Sequence, residues 1–138
     1  MKCVATYKDG LTVQSISRDH NLIMDVSKED RGMTPGEMLI NALAGCKLLS
    51  FVSLSRFRNI NFENLSIEIS AEAEDKGFVG ETKIPAKSVK SIHIIYKIKT
   101  TNTKEEIREY LKLVDELCAV GNALREDIEK TEEIVILD

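Results

Sequence analysis

Gly32-Met33-Thr34-Pro35-Gly36-Glu37-Met38-Leu39-Ile40-Asn41-Ala42-Leu43-Ala44-Gly45-Cys46 opens a helix and runs it into a cysteine. Thr34 offers a capping hydroxyl. Pro35 suits the first helical position, where its missing N–H costs no hydrogen bond, and Glu37 completes a capping box. Leu39, Ala42, Leu43, Cys46, Leu49 and Ser53 follow at helical spacing, while Met38, Ile40, Leu48 and Phe51 make other faces apolar as well. The pattern predicts a helix from Pro35 to about Phe57 that is covered on most sides. It ends in Arg56-Phe57-Arg58-Asn59, where cations favour the carbonyl end. Between Met38 and Leu54 the chain is apolar enough to suggest a membrane span, but Asn41, Lys47, Ser50 and Ser53 interrupt it. A span needs about 20 residues nearly free of charge. A core helix is expected instead, and no membrane partner.

Upstream, residues 3–8, 11–17 and 20–26 read as three strands. Asp9-Gly10 signals a tight hairpin turn whose two central residues both need positive φ, and Arg18-Asp19 falls in the second turn. Downstream, Leu65, Ile67, Ile69, Ala71 and Ala73 alternate with polar residues, as in a strand wet on one face. A polar loop with Gly77, Gly80 and Pro85 leads to a strand at 89–99.

Thr103 to Glu106 form a second capping box. Ile107, Tyr110, Leu111, Val114, Leu117 and Cys118 then mark one inward stripe, and Gly121 supplies the stop. A short helical piece at 122–129 and a strand at 133–137 complete the order βββ-α-ββ-α-(α)-β. No repeat, linker or low-complexity tract interrupts residues 1–138, which predicts one α+β domain.

The net charge of −4 comes from 23 acids and 19 bases dispersed along the chain, so no nucleic-acid stripe is expected. MKCVATYKDG alternates and lacks an apolar signal core, which points to the cytoplasm. Three cysteines without secretory context are expected to be free thiols. Cys3 reads as an inert strand residue, and His93, sharing a strand face with Ser91 and Lys97, as solvated. No cluster has metal spacing, no glycine-rich phosphate loop occurs, and no cofactor is expected.

The 32–46 stretch resembles the central-helix signature of the OsmC/Ohr family. Glu116-Leu117-Cys118-Ala119-Val120-Gly121-Asn122-Ala123-Leu124 resembles the family's second cysteine motif, and His20-Asn21-Leu22-Ile23-Met24-Asp25 the strand before the helix. The resemblance implies an intertwined homodimer in which antiparallel sheets pack around long central helices. It also implies thiol-dependent reduction of organic hydroperoxides: Cys46 attacks peroxide, Cys118 resolves the sulfenic acid, and an external dithiol reopens the disulfide. Arg18 stands where the family places a peroxide-site arginine, on its own chain or serving the partner's. Hydroperoxide reductases of this family carry a glutamate directly after the helix-start proline. Here that position is Gly36, so Glu37 either takes the acid's role or serves only as a cap. Ala119, where many relatives have proline, and His20 with Asp25 suggest the less characterised branch.

An attacking thiol must be ionised, and a free cysteine of pKa about 8.5 is only a few per cent thiolate at neutral pH. Cys46 lies about three turns into its helix, beyond the reach of the helix dipole, so a cation is expected to lower its pKa. A unit charge at about 4 Å is worth roughly 4 kcal/mol at an effective dielectric near 20. Arg18 is the candidate, because Lys47 lies about 100° around the helix. Cys118, at a helix C-terminus, is expected to have a raised pKa, as suits a resolving thiol. The rival reading is a non-catalytic dimeric module that holds a small ligand in an apolar pocket while its thiols stay inert.

Overall fold

Asp9-Gly10 does return the chain, one residue out of the expected frame. In the computed structural model, which describes residues 1–138, β1 (Val4–Asp9) pairs antiparallel with β2 (Thr12–Ser17) so that Asp9 faces Thr12. The turn therefore consists of Gly10 and Leu11, and only Gly10, at φ 50°, is left-handed. Arg18, at φ 55°, makes the second turn into β3 (His20–Asp25), giving the order β1-β2-β3. Cys3 precedes β1 and is exposed.

These strands belong to the first of two compact units, Met1–Asn41; the second is Ala42–Asp138. In the first unit the Asp25 carboxylate organises the loop after β3. It accepts hydrogen bonds from the Ser27 N–H at 2.7 Å, the Ser27 hydroxyl at 2.9 Å and the Arg31 N–H at 2.9 Å. The Arg31 amide, followed by the two Ser27 donors, holds this carboxyl well below the usual carboxylate range. Gly32 is fixed by space: a Cβ there would stand 2.3 Å from the Ile23 carbonyl oxygen. α1 (Pro35–Ser55) then begins as expected. The Thr34 N–H donates to the Glu37 carboxylate at 2.7 Å, and the Glu37 N–H donates to the Thr34 hydroxyl at 3.2 Å.

In the second unit, β4 (Asn64–Phe78) and β5 (Pro85–Lys99) form a long antiparallel ribbon. The segment expected to be a polar loop is the ribbon's outer end, with Asp75 facing Lys87 and Phe78 facing Pro85. It has no apolar face to announce it, and register shifts with left-handed Gly77 and Gly80 break its alternation. α2 (Lys104–Leu117) starts at the expected capping box on Thr103, and α3 (Ala119–Asn122) follows after Cys118 alone. Gly121 therefore lies inside α3 and does not stop α2.

β6 (Glu129–Ile136) pairs parallel to β5. The expectation of wholly antiparallel sheets fails here for a topological reason. α2 and α3 form a crossover, which returns the chain to β5 running in the same direction.

The core of this unit is Leu43 and Phe51 from α1, Ile92, Ile94, Tyr96 and Ile98 from β5, and Ile107, Tyr110, Leu111 and Val114 from α2. Phe51 is its hub. Its ring meets Tyr110 edge-on at 4.8 Å and Phe62 at 5.7 Å, and its carbonyl accepts the Tyr110 hydroxyl. The inward stripe of α1 is Leu43, Lys47, Ser50, Phe51 and Ser55, whereas Leu49 is 71% exposed. Leu117, expected to point inward, is half exposed at the end of α2. By length and apolarity α1 is able to cross a bilayer, but its middle is tied by Lys47 to carboxylates on α2 and β6.

Phe51→Ala is therefore expected to cost about 3–5 kcal/mol in urea unfolding, the usual loss for a large ring removed from a packed core. Leu117→Ala should stay within about 0.5 kcal/mol. Similar losses for the two would contradict the assigned phases of α1 and α2.

Candidate active site

Cys118 occupies the one residue between two helices. Its N–H closes α2 on the carbonyls of Val114 and Asp115, and its backbone is extended, at φ −74° and ψ 94°. The chain then re-enters helix at Ala119, and the Gly121 N–H donates to the Cys118 sulfur at 3.4 Å. This redirection turns the first amides of α3 away from α2. They come to Cys46, on the side of α1.

The two thiols are near enough to influence each other's titration, and their environments pull them in opposite directions. Burial pushes the Cys46 thiol up, but donors surround it: the Val120 N–H, the Cys118 thiol, the Ala119 N–H and the Ser50 hydroxyl. Together they hold it below its ordinary value. Donors that favour the charged form act in the same direction as a nearby cation. Cys118 is fully buried. That burial pushes its thiol up, and the neighbouring Cys46 adds to the rise, against partial relief from the Gly121 N–H and the Lys47 charge. Cys46 is the only one of the pair with partial access to solvent.

Within this unit backbone amides, the Cys118 thiol and Ser50 lower the Cys46 pKa. Ser50 lies one helical turn after Cys46, a spacing visible in the sequence. The amides come from a segment remote along the chain, and nothing in the residue pattern announces them. Arg18 and Glu37 both lie in the first unit. Arg18 is exposed on the β2–β3 turn, and the Glu37 carboxylate accepts the Thr34 N–H in the capping box. His93 is partly exposed, and its Nδ1 lies 2.7 Å from the Thr131 hydroxyl.

Lys47, also remote from expectation, is 5% exposed. Its ammonium donates to Asp115 of α2 and, at 3.1 Å, to Glu132 of β6. Burial works against its charge, yet the Asp115 hydrogen bond and the Glu132 and Asp115 charges raise its pKa overall. Burial pushes the Glu132 carboxyl up, despite the Lys47 charge. Lys47, Asp115, Cys118 and Glu132 line one cavity of about 390 Å³, together with Gly121 and Asn122. No cluster of His, Cys, Asp and Glu has the geometry to hold a metal.

The family model for OsmC-like protein matches residues 28–133. No curated protein matches the sequence. Among solved structures, an OsmC-like protein from Mycoplasma pneumoniae superposes with a TM-score of 0.79 at 18% identity, covering 97% of this chain and 96% of its own. An organic hydroperoxide resistance protein OsmC from Legionella pneumophila gives 0.75 at 15% identity, covering 99% and 98%. An organic hydroperoxide resistance protein from Elizabethkingia anophelis gives 0.71 at 15% identity, covering 98% and 94%. At these identities the likeness is one of fold.

Opposed environments predict opposed reactivities. In the reduced protein at pH 7, Cys46 should alkylate faster than free cysteine, with a midpoint below the ordinary thiol value, and Cys118 more slowly. Ser50→Ala should move the Cys46 midpoint upward, because one donor to the thiolate is gone. Peptide-resolved alkylation rates across pH 5–10 read this out, and an ordinary Cys46 midpoint unmoved by Ser50→Ala would contradict the assignment.

Proposed function

The chain belongs to the OsmC-like protein family, and from that premise we propose that it is a thiol-dependent peroxidase that reduces organic hydroperoxides in defence against oxidative stress. The observation that carries the reading is the pairing of a thiol whose pKa is held down, Cys46, with a neighbouring buried thiol whose pKa is pushed up, Cys118. A peroxide needs a nucleophile first and a proton-bearing partner second. The names of the relatives from Legionella pneumophila and Elizabethkingia anophelis favour the same substrate class.

In this reading the Cys46 thiolate attacks one peroxide oxygen. The O–O bond breaks, the sulfur becomes a sulfenic acid, and the alkoxide leaves to be protonated to the alcohol. Arg18, of this chain or of a partner's, is the candidate to meet that developing negative charge. Cys118 then attacks the Cys46 sulfur, expelling water and forming the disulfide, and an external dithiol restores both thiols by exchange. The protein would work in the cytoplasm, where such a dithiol pool keeps thiols reduced.

A second copy of this chain completes the proposal. Leu49 and Val52 of α1 and Phe57 just beyond it are exposed in the single chain, an apolar set that a homodimer would cover. The non-catalytic ligand-binding reading keeps one observation in its favour: Gly36 carries no acid, and the Glu37 carboxylate is engaged in the capping box.

Steady-state turnover of cumene hydroperoxide with a dithiol reductant tests the enzyme. Wild type should turn over, Cys46→Ser should lose at least about a thousandfold, and Arg18→Ala at least tenfold. Activity that survives Cys46→Ser would refute the mechanism. Thiols no faster than free cysteine toward peroxide would favour the binding module. Sedimentation at micromolar concentration should give a dimer that Leu49→Asp dissociates; a single-chain species in the wild type would contradict the homodimer.

A further inference from the structure

Lys47 is a costly residue in its place. A buried charge, even when paired, seldom stabilises a fold more than an apolar residue of similar volume would, and the residues flanking Lys47 on α1 are apolar. Its two carboxylates come from separate elements, Asp115 on α2 and Glu132 on β6. The resulting cluster forms one wall of the cavity that Cys118 also lines. A second observation adds to this: the Tyr96 hydroxyl is buried without a hydrogen-bond partner, and burial first, then the nearby Glu132 and Asp115 charges, push its pKa up. The groups facing Cys118 are thus Cys46 and Lys47 from α1, Asp115 from α2, Tyr96 from β5, and Lys130 and Glu132 from β6.

We propose that Lys47 and Glu132 are positioning residues for Cys118: they form a charge relay that ionises the resolving thiol when the disulfide closes. This extends the peroxidase reading and rests on it. Cys118 has to give up its proton in a site that disfavours its thiolate. The cavity of about 390 Å³ is polar and roomy enough for bridging water. Through such water the thiol proton passes to the Glu132 carboxylate, while the Lys47 ammonium, still held by Asp115, compensates the thiolate charge. The Cys118 sulfur then attacks the Cys46 sulfur, forming the S–S bond and breaking the S–O bond. The departing hydroxide takes up one proton and leaves as water, so the proton lost by Cys118 is balanced. Burial, which raises the Glu132 pKa, suits that carboxylate to receiving a proton.

The test separates the two chemical steps. Reduced protein is mixed with one equivalent of cumene hydroperoxide and quenched at intervals; sulfenic acid is trapped with dimedone and disulfide is counted by mass. Glu132→Gln, which keeps a hydrogen bond to Lys47, should lower the ratio of closure rate to oxidation rate at least tenfold at pH 7. The deficit should shrink as pH rises and solvent takes over as base. In a Cys46→Ser background, Lys47→Met should move the Cys118 titration, followed by ¹³C-cysteine NMR, upward by about one pH unit. An unchanged ratio in Glu132→Gln, a parallel slowing of both steps that high pH does not relieve, or a Cys118 midpoint indifferent to Lys47→Met would each overturn the relay. A wild type that forms no sulfenic acid would instead refute the peroxidase reading, and the Cys118 titration would still decide whether Lys47 acts on that thiol.

Discussion

The break in the helical backbone at Cys118 is the constraint on which the chemistry depends. If α2 continued through this residue, the amides of Ala119 and Val120 would be consumed by the carbonyls of its own last turn. Because the backbone is extended at Cys118, those amides are released toward Cys46. The same residue caps the end of one helix and the start of the next, and its sulfur accepts the Gly121 amide. Gly121 fits because a Cβ there would stand 3.3 Å from that sulfur, tight enough to force a shift. One local geometry thus lowers the pKa of Cys46 and sets the position of Cys118.

The rest of the second unit holds that geometry in place. Phe51 packs α1 against the rings of Tyr110 and Phe62 one turn beyond Cys46, and Leu43 lies beside Gly121 one turn before it. Lys47 adds a charged tie to α2 and β6, the elements on either side of the Cys118 segment. Apolar packing fixes how far α1 lies from the core, and the ion pairs of buried Lys47 favour its rotation. A helix apolar on several faces has no other strong reason to choose one phase.

The two capping boxes were legible in sequence to the residue, since each needs only a hydroxyl and an acid three positions apart. The element order and the alternation from Leu65 to Ile69 were legible for similar local reasons, although the expected alternation ends there, with Ala71 and Ala73 exposed. The phase of α1 was not, because its leucines surround it; the inward face carries Lys47 and Ser50 while Leu49 faces out. The outer ribbon of β4 and β5 was hidden by its lack of an apolar side, and the direction of β6 is a property of the crossover, not of its residues. The amides that lower the Cys46 pKa were hidden for a related reason. Local sequence shows charges plainly but does not show where a distant loop aims its amides, and here amides supply the effect.

The fold brings two cysteines remote in sequence close enough to shift each other's titration, in opposite directions, and the proposed chemistry requires them to join. The most direct test is the intact mass of the reduced protein after one equivalent of organic hydroperoxide, with peptide mapping of the product. The account predicts the loss of two hydrogens and a single disulfide joining the peptides of Cys46 and Cys118. A stable gain of one oxygen at Cys46, or no change in mass while the peroxide persists, would contradict it.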